Sequence, residues 1–171
     1  MKTTPIARSV LLATAALTLG AALSGCSAIT SVFGSGDAQR DEEGHVTEGK
    51  EIDIFSLKVG DCLTEAAVTG GETNTAPVVP CGEAHPFEVY AEFDLDDGDF
   101  PGTDAIEAPA MEFCETEFEK FVGVAYDDST LDYTWFEPTA ESWSADDRLV
   151  QCIIGDPEDA EITGSLEGAA R

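Results

Sequence analysis

Four cysteines constrain the fold of this chain more than any other feature of its sequence: Cys62, Cys81, Cys114 and Cys152. They follow an N-terminal segment with two basic residues, an apolar run over residues 10–23 and no acidic residue before position 37, which is the layout of a secretory signal peptide. An even number of cysteines in an exported chain predicts disulfides rather than free or metal-bound thiols, and no Cys-x-x-Cys motif is present. Four cysteines can pair in three ways, of which we favour Cys62–Cys81 with Cys114–Cys152.

A fifth cysteine, Cys26, directly follows the stretch Leu23-Ser24-Gly25. This stretch resembles the lipobox of bacterial lipoproteins. The resemblance implies that residues 1–25 are a lipoprotein signal peptide and that Cys26 carries the lipid, which would hold the protein at the extracytoplasmic face of the cell membrane. A secreted protein with a chance cysteine is one alternative. A membrane-spanning helix is the other, but about 14 apolar residues are fewer than the ~20 that cross a bilayer.

The charge of the chain after residue 25 excludes one class of partner. Six basic residues stand against 35 acidic ones, which gives a net charge of −29. Such a field repels phosphate backbones, so we expect no binding to nucleic acid. An acidic surface is typical of a highly soluble protein, and it also suits a cationic partner.

The chain after the signal peptide divides into three parts. Residues 26–51 are predicted to be a lipidated N-terminus and a flexible acidic linker, because Ser, Gly, Asp and Glu dominate and no hydrophobic period persists. Residues 52–168 are predicted to be the folded domain, and residues 169–171 a short tail. Within the domain, the acidic stretch that follows residue 157 predicts little regular structure.

The domain is predicted to be α+β, with a small, mostly antiparallel sheet and one main helix packed on it. Alternating apolar residues predict strands over residues 54–59, 87–95 and 130–136. The apolar run at residues 148–154 predicts a further, central strand. In the 87–95 strand, all odd-numbered apolar residues are expected on one buried face and Glu88 on the solvent face.

The main helix is predicted over residues 104–122, where apolar residues recur at steps of three and four. Asp104 and Glu107 have the spacing of a capping box, and Gly123 is a natural C-terminal stop. The Cys114–Cys152 disulfide would fasten this helix to the central strand.

No catalytic residue, metal site or cofactor site is predicted, and we do not expect an enzyme. His85 has no second histidine at a metal-binding spacing and no recognisable nucleophile partner, which favours a structural role. Trp135 and Trp143 could present a stacking surface for sugar rings, although aromatic residues at strand spacing are more often core. Arg148 is expected to pair with one of the many nearby acids. These four residues are the candidates for binding.

Several motifs resemble the septum-formation domain family of actinobacteria, and the likeness covers about residues 52–168. They are Val59-Gly60-Asp61-Cys62-Leu63, Val79-Pro80-Cys81 with His85, Phe100-Pro101-Gly102, Cys114 with Phe118, Pro138-Thr139 with Trp143, Asp147 to Cys152, and Thr163-Gly164-Ser165-Leu166. Asp146 departs from the family, which usually has Gly there, but Asp tolerates a left-handed turn better than most residues.

The resemblance implies an envelope protein connected with septum formation or wall growth, without enzymatic activity. Its partner would be another envelope protein or a cell-wall component. The alternative is a lipoprotein that binds peptidoglycan or another glycan through surface aromatics.

Overall fold

The computed structural model describes residues 36–69, 74–158 and 160–171. The predicted signal peptide, the lipobox Leu23-Ser24-Gly25 and the lipid-attachment residue Cys26 therefore lie outside the described residues.

The described residues form one six-stranded sheet in the order β1-β3-β2-β4-β6-β5, in which every neighbouring pair is antiparallel. The strands are β1 (Lys50–Asp53), β2 (Cys62–Leu63), β3 (Thr75–Val79), β4 (Phe87–Asp94), β5 (Asp132–Phe136) and β6 (Leu149–Gly155). The α-helices are α1 (Glu65–Thr69), α2 (Thr103–Val122) and α3 (Ala140–Trp143). This confirms the predicted α+β class, and β6, with strands on both sides, is internal as its apolar run predicts.

Helix α2 packs on the sheet through buried residues spaced four apart: Ile106, Ala110, Cys114, Phe118 and Val122. Both favoured disulfides are present, and Cys114–Cys152 joins α2 to β6 as expected. The predicted capping box is wrong, because the N-cap residue is Gly102 and no side chain caps the helix. The helix does end at Gly123, whose φ of 91° is left-handed.

The strand prediction for residues 54–59 is also wrong. A 3₁₀ turn occupies Ile54–Ser56, and the side chains of Phe55 and Val59 are exposed. Leu57 alone is buried among the three apolar residues that suggested a strand. Alternation over so short a stretch cannot distinguish a strand from a turn that buries one side chain.

Strand β4 departs from strict alternation at Tyr90. The register of β4 against β6 shifts between Val89 and Ala91, so one extra residue enters β4. As a result Val89 packs in the core formed with β1, β2 and β3, whereas Ala91 packs in the core under α2. The expectation of one buried and one wet face therefore fails, and Glu88 is buried rather than solvent-facing.

The predicted flexible linker is corrected for residues 36–51, which lie against the domain. Val46 is buried in the core, and its backbone forms a β-bridge with Arg40. The Arg40 guanidinium donates to the carboxylate of Asp61, with Nη2 2.8 Å from Oδ2. The composition of residues 36–51 could not predict this packing. Arg40 and Val46 hold the segment in place, and their partners are distant in sequence.

The acidic C-terminal segment is also ordered. The backbone of Ile162 pairs with that of His85, and Leu166 is buried under α2. The N–H groups of Gly168 and Ala170 donate to the last carbonyls of α2, at Phe121 and Val122. As expected, no helix or strand follows Gly155 in the described residues, but residues 162–170 are held on the domain by these contacts rather than being weakly structured.

Candidate functional site

The predicted binding residues lie in three places rather than one: at His85, at Arg148 with Trp143, and at Trp135 on β5. His85 precedes the start of β4, whereas Arg148 adjoins Leu149, which pairs with Asp94 at the far end of β4. Seven steps along an antiparallel strand span about 24 Å. The structure therefore does not bring His85 and Arg148 into one site.

His85 is fully buried where the C-terminal segment meets β4. Its backbone N–H and carbonyl bond to Ile162 at 3.0 and 2.8 Å, and its ring Nδ1 lies 2.8 Å from the carbonyl oxygen of Glu83. Since a carbonyl only accepts, Nδ1 carries the ring proton in a neutral imidazole. The other nitrogen, Nε2, is buried without a hydrogen-bond partner among the described residues.

Two cysteine sulfurs lie beside this ring. Cys62 and Cys81 form a disulfide, and their Sγ atoms and a ring nitrogen of His85 all lie within 4.8 Å of one another. Cys62 is fully buried in β2, and Cys81 is half-buried in the turn after β3. We refer to Cys62, Cys81 and His85 as the His85 cluster.

Glu88 is a buried carboxylate next to the His85 cluster, opposite Cys62 in the β2–β4 register. Its Oε2 accepts from the backbone N–H of Leu166, and its Oε1 accepts from the hydroxyl of Ser165, both at 2.7 Å. Burial raises the pKa of Glu88, and these two hydrogen bonds only partly oppose that rise. The carboxylate thus holds the C-terminal segment in place at an electrostatic cost.

Sequence reasoning missed Glu88 as a key residue. It lies in an alternating strand, where an acid between two apolar residues normally indicates a solvent-facing position. The sequence near Glu88 carries no signal of its burial, because the segment that covers it begins more than 70 residues later.

Arg148 and Trp143 form the second cluster, with Arg148 Cζ 3.8 Å from the centroid of the Trp143 ring. The guanidinium also donates to the carbonyls of Trp143 and Asp147, and Nε lies 3.5 Å from a carboxylate oxygen of Asp97. The expected pairing of Arg148 with an acid is thus present. Asp146 has a φ of 68°, so the left-handed turn expected at this departure from the family is kept.

Trp143 is not available as a stacking platform. It is only 7% exposed, its Nε1 donates to the carbonyl of Gly98 at 2.9 Å, and Phe100 packs edge-on against it. Arg148 lies over its ring, so a sugar could not stack there without displacing the guanidinium. These contacts give Trp143 a packing role.

Trp135 is half-buried on β5, and its Nε1 donates to Glu137. It continues a row of half-buried aromatic rings with Tyr133 and Tyr126 beside α2. A hydrogen bond from Tyr126 to Asp132 raises the pKa of Tyr126 to about 12. This row supports α2, and it does not adjoin Trp143 in any described ring pair.

Concave surfaces also lie outside these clusters in the described part of the chain. A groove of about 240 Å³ runs between β5 and the turn after β6, and it is lined by Val68, Phe87, Asp132, Tyr133, Thr134, Ile153, Gly155, Asp156 and Pro157. The second is a shallow depression on the outer face of α2, lined by Glu112, Glu115, Thr116, Glu119 and Lys120.

These features define a small, disulfide-braced α+β domain on which residues 36–46 and 162–170 are packed. A family model described as septum formation matches residues 21–152. The chain belongs to the septum formation family. No curated protein and no solved structure matches it. No helix in the described part of the chain is long and apolar enough to cross a membrane.

Proposed function

We propose that this protein is a lipid-anchored, non-catalytic interaction module on the extracytoplasmic face of the cell membrane that acts in septum formation or wall growth. Membership of the septum formation family supports the septal part of the proposal. The lipobox stretch that ends at Cys26 supports the anchor, and two disulfides suit an oxidising compartment.

The outer face of α2 is the observation that carries the interaction role. While one stripe of the helix is buried, the other presents exposed acids at Asp104, Glu107, Glu112, Glu115 and Glu119. In the helix, Lys120 is the only basic residue, and it is already paired with Glu117. Such a face would attract a cationic partner over roughly a Debye length, about 8–10 Å at physiological salt.

The positions of three residues that suggested other functions also favour an interaction role for the acidic face of α2. His85 and Trp143 are buried, and Arg148 is held on the ring of Trp143. Trp143 and Arg148 therefore have packing roles, and His85 is too deeply buried to contact a partner protein directly. The acidic face of α2 has no comparable internal role, which favours a use in recognition.

The anchor is tested by changing its attachment residue. Cys26→Ser is expected to move the protein from the membrane fraction to the soluble extracytoplasmic fraction and to abolish labelling by a radioactive fatty acid, because one thiol carries the lipid. Ser27→Ala is the matched control and should behave as wild type. Membrane retention of the Cys26→Ser protein would contradict the anchor.

The interaction role is tested by crosslinking in living cells. A photoreactive residue at position 112 or 119 is expected to capture one envelope protein, and Glu115→Lys should remove that adduct because it reverses the local charge. Position 42, an exposed acidic site outside α2, is the control. Equal capture from positions 42 and 112, or capture unaffected by Glu115→Lys, would contradict a specific acidic interface.

A pull-down on purified cell wall addresses the glycan alternative. If the proposed function is correct, the soluble domain should not be retained on the cell wall. Retention on wall material that Trp135→Ala abolishes would replace the proposed function with glycan binding.

A further inference from the structure

The His85 cluster contains three potential metal ligands within 4.8 Å of one another, two sulfurs and an imidazole nitrogen. In sequence, the spacing of these residues gave no reason to expect a metal site. The fold creates the proximity, because β2 carries Cys62 between β3, which leads to Cys81, and β4, which follows His85. Two thiolates and one imidazole form a ligand set that zinc accepts, with a fourth position left open.

The hydrogen bonding of His85 leaves one ring nitrogen free to act as a ligand. Because Nδ1–H donates to the Glu83 carbonyl, the lone pair of the neutral ring resides on Nε2. Nε2 is buried without a hydrogen-bond partner in the described residues, which is a costly state for a polar atom. Metal-binding histidines use the same arrangement, in which the second ring nitrogen donates to a carbonyl and fixes the tautomer.

The charges also balance. Two thiolates neutralise one Zn²⁺, so a bound ion would add no net charge to this buried position. The two buried carboxylates of the described residues already have partners: Asp61 binds Arg40, and Glu88 binds the C-terminal segment.

We propose that the His85 cluster is a redox-gated zinc site, closed while the Cys62–Cys81 disulfide is intact and opened by a dithiol reductant. In the opening step the dithiol transfers two electrons and two protons to the disulfide. The S–S bond breaks, two thiols form, and the reductant becomes a disulfide. Zn²⁺ then displaces both thiol protons to solvent, Nε2 donates its lone pair, and a water molecule takes the fourth position.

The geometry requires only a local movement. The Cα atoms of Cys62 and Cys81 are 5.3 Å apart, and zinc needs Zn–S distances of about 2.3 Å. Cys62 is buried in β2, whereas Cys81 is half-buried in a turn, so Cys81 is the less constrained of the two residues and the one nearer to solvent. The other disulfide is fully buried, and no comparable group of ligands surrounds it in the part of the chain the structure describes.

The test is zinc binding to the full soluble domain before and after reduction by a phosphine, measured by competition with a chromophoric chelator. The reduced wild type is expected to bind one zinc ion, and the oxidised protein none. His85→Asn keeps a donor for the Glu83 carbonyl but removes Nε2, so it should weaken binding by about tenfold or more. The Cys114→Ser/Cys152→Ser variant is the matched control and should still bind.

X-ray absorption at the zinc edge of the reduced wild type keeps the proposal falsifiable if a variant fails to fold. The expected first shell contains two sulfurs and at least one imidazole nitrogen. Four sulfurs would mean chelation by an unfolded chain and would overturn the proposal. So would absence of binding after reduction, equal binding by the oxidised protein, or wild-type affinity in His85→Asn.

Discussion

Glu88→Gln should change how the stability of this protein depends on pH. Glu88 is 2% exposed, and burial raises its pKa above the ordinary value of 4.5. The folded state therefore binds the Glu88 proton more tightly than the unfolded state does. The free energy of unfolding should then fall as pH rises from about 4.5 through the folded-state pKa, by up to about 1.4 kcal/mol for each pH unit between the two values.

The glutamine side chain fits the same contacts without the charge. Its carbonyl can accept from the N–H of Leu166, and its amide can donate to the hydroxyl oxygen of Ser165. At neutral pH we expect Glu88→Gln to be as stable as the wild type or more stable, because no carboxylate must be buried in ionised form. Glu88→Ala should instead lose about 1–3 kcal/mol, since the Leu166 N–H is left buried without a partner.

The assay is urea unfolding at a series of pH values, with the wild-type value subtracted from that of Glu88→Gln. The subtraction removes the common contribution of the other acids, but the charge of Glu167 acts on Glu88 itself and is included in the shift of the Glu88 pKa. Asp94→Asn, at an exposed acid on the same strand, is the control for the removal of one carboxylate that is not buried. A difference between Glu88→Gln and wild type that is constant with pH would refute the reasoning.

Two further stability predictions follow from close contacts and a buried charge. Gly155→Ala should lower the free energy of unfolding by roughly 1–3 kcal/mol, because its Cβ would lie 2.5 Å from a ring carbon of Phe87. Gly82→Ala is the control: a Cβ at residue 82 would meet open space, so this variant should have little effect in the same urea assay. Arg40→Ala should lower the free energy of unfolding by about 3–5 kcal/mol, because Asp61 is 1% exposed and would lose its cation. Limited proteolysis of this variant should then cut within residues 36–46. Unchanged stability and unchanged cleavage would show that the ion pair does not hold this segment.

The elements that could be predicted from the sequence are those with a local pattern. The apolar stripe of α2 repeats every four residues and ends at Gly123, so its position follows from 3.6-residue periodicity. The apolar run of β6 likewise indicated an internal strand. The favoured disulfide pairing is confirmed, although the cysteine spacing alone left two other pairings open.

What could not be predicted depends on contacts between residues far apart in the chain. Arg40 and Asp61 are 21 residues apart, and Glu88 and Leu166 are 78 apart, so no window of sequence contains both partners. The extra residue at Tyr90 has no local signal either, since the alternation continues through it. The same holds for the candidate site. The sequence identified His85 as a candidate, but its proximity to the sulfurs of Cys62 and Cys81 depends on the order of the strands in the sheet.

Residues 36–46 and the C-terminal segment meet the fold at neighbouring positions. Arg40 binds Asp61, which directly precedes Cys62, while the C-terminal segment binds Glu88, which lies opposite Cys62 in the sheet. Two buried carboxylates thus hold these two segments next to the same cysteine. Because that cysteine also forms the Cys62–Cys81 disulfide, opening the disulfide would loosen the strand against which both segments are fixed. Proteolysis within residues 36–46 and 162–170 should therefore respond to reduction of Cys62–Cys81 before any response in α2, whose own disulfide to β6 is fully buried.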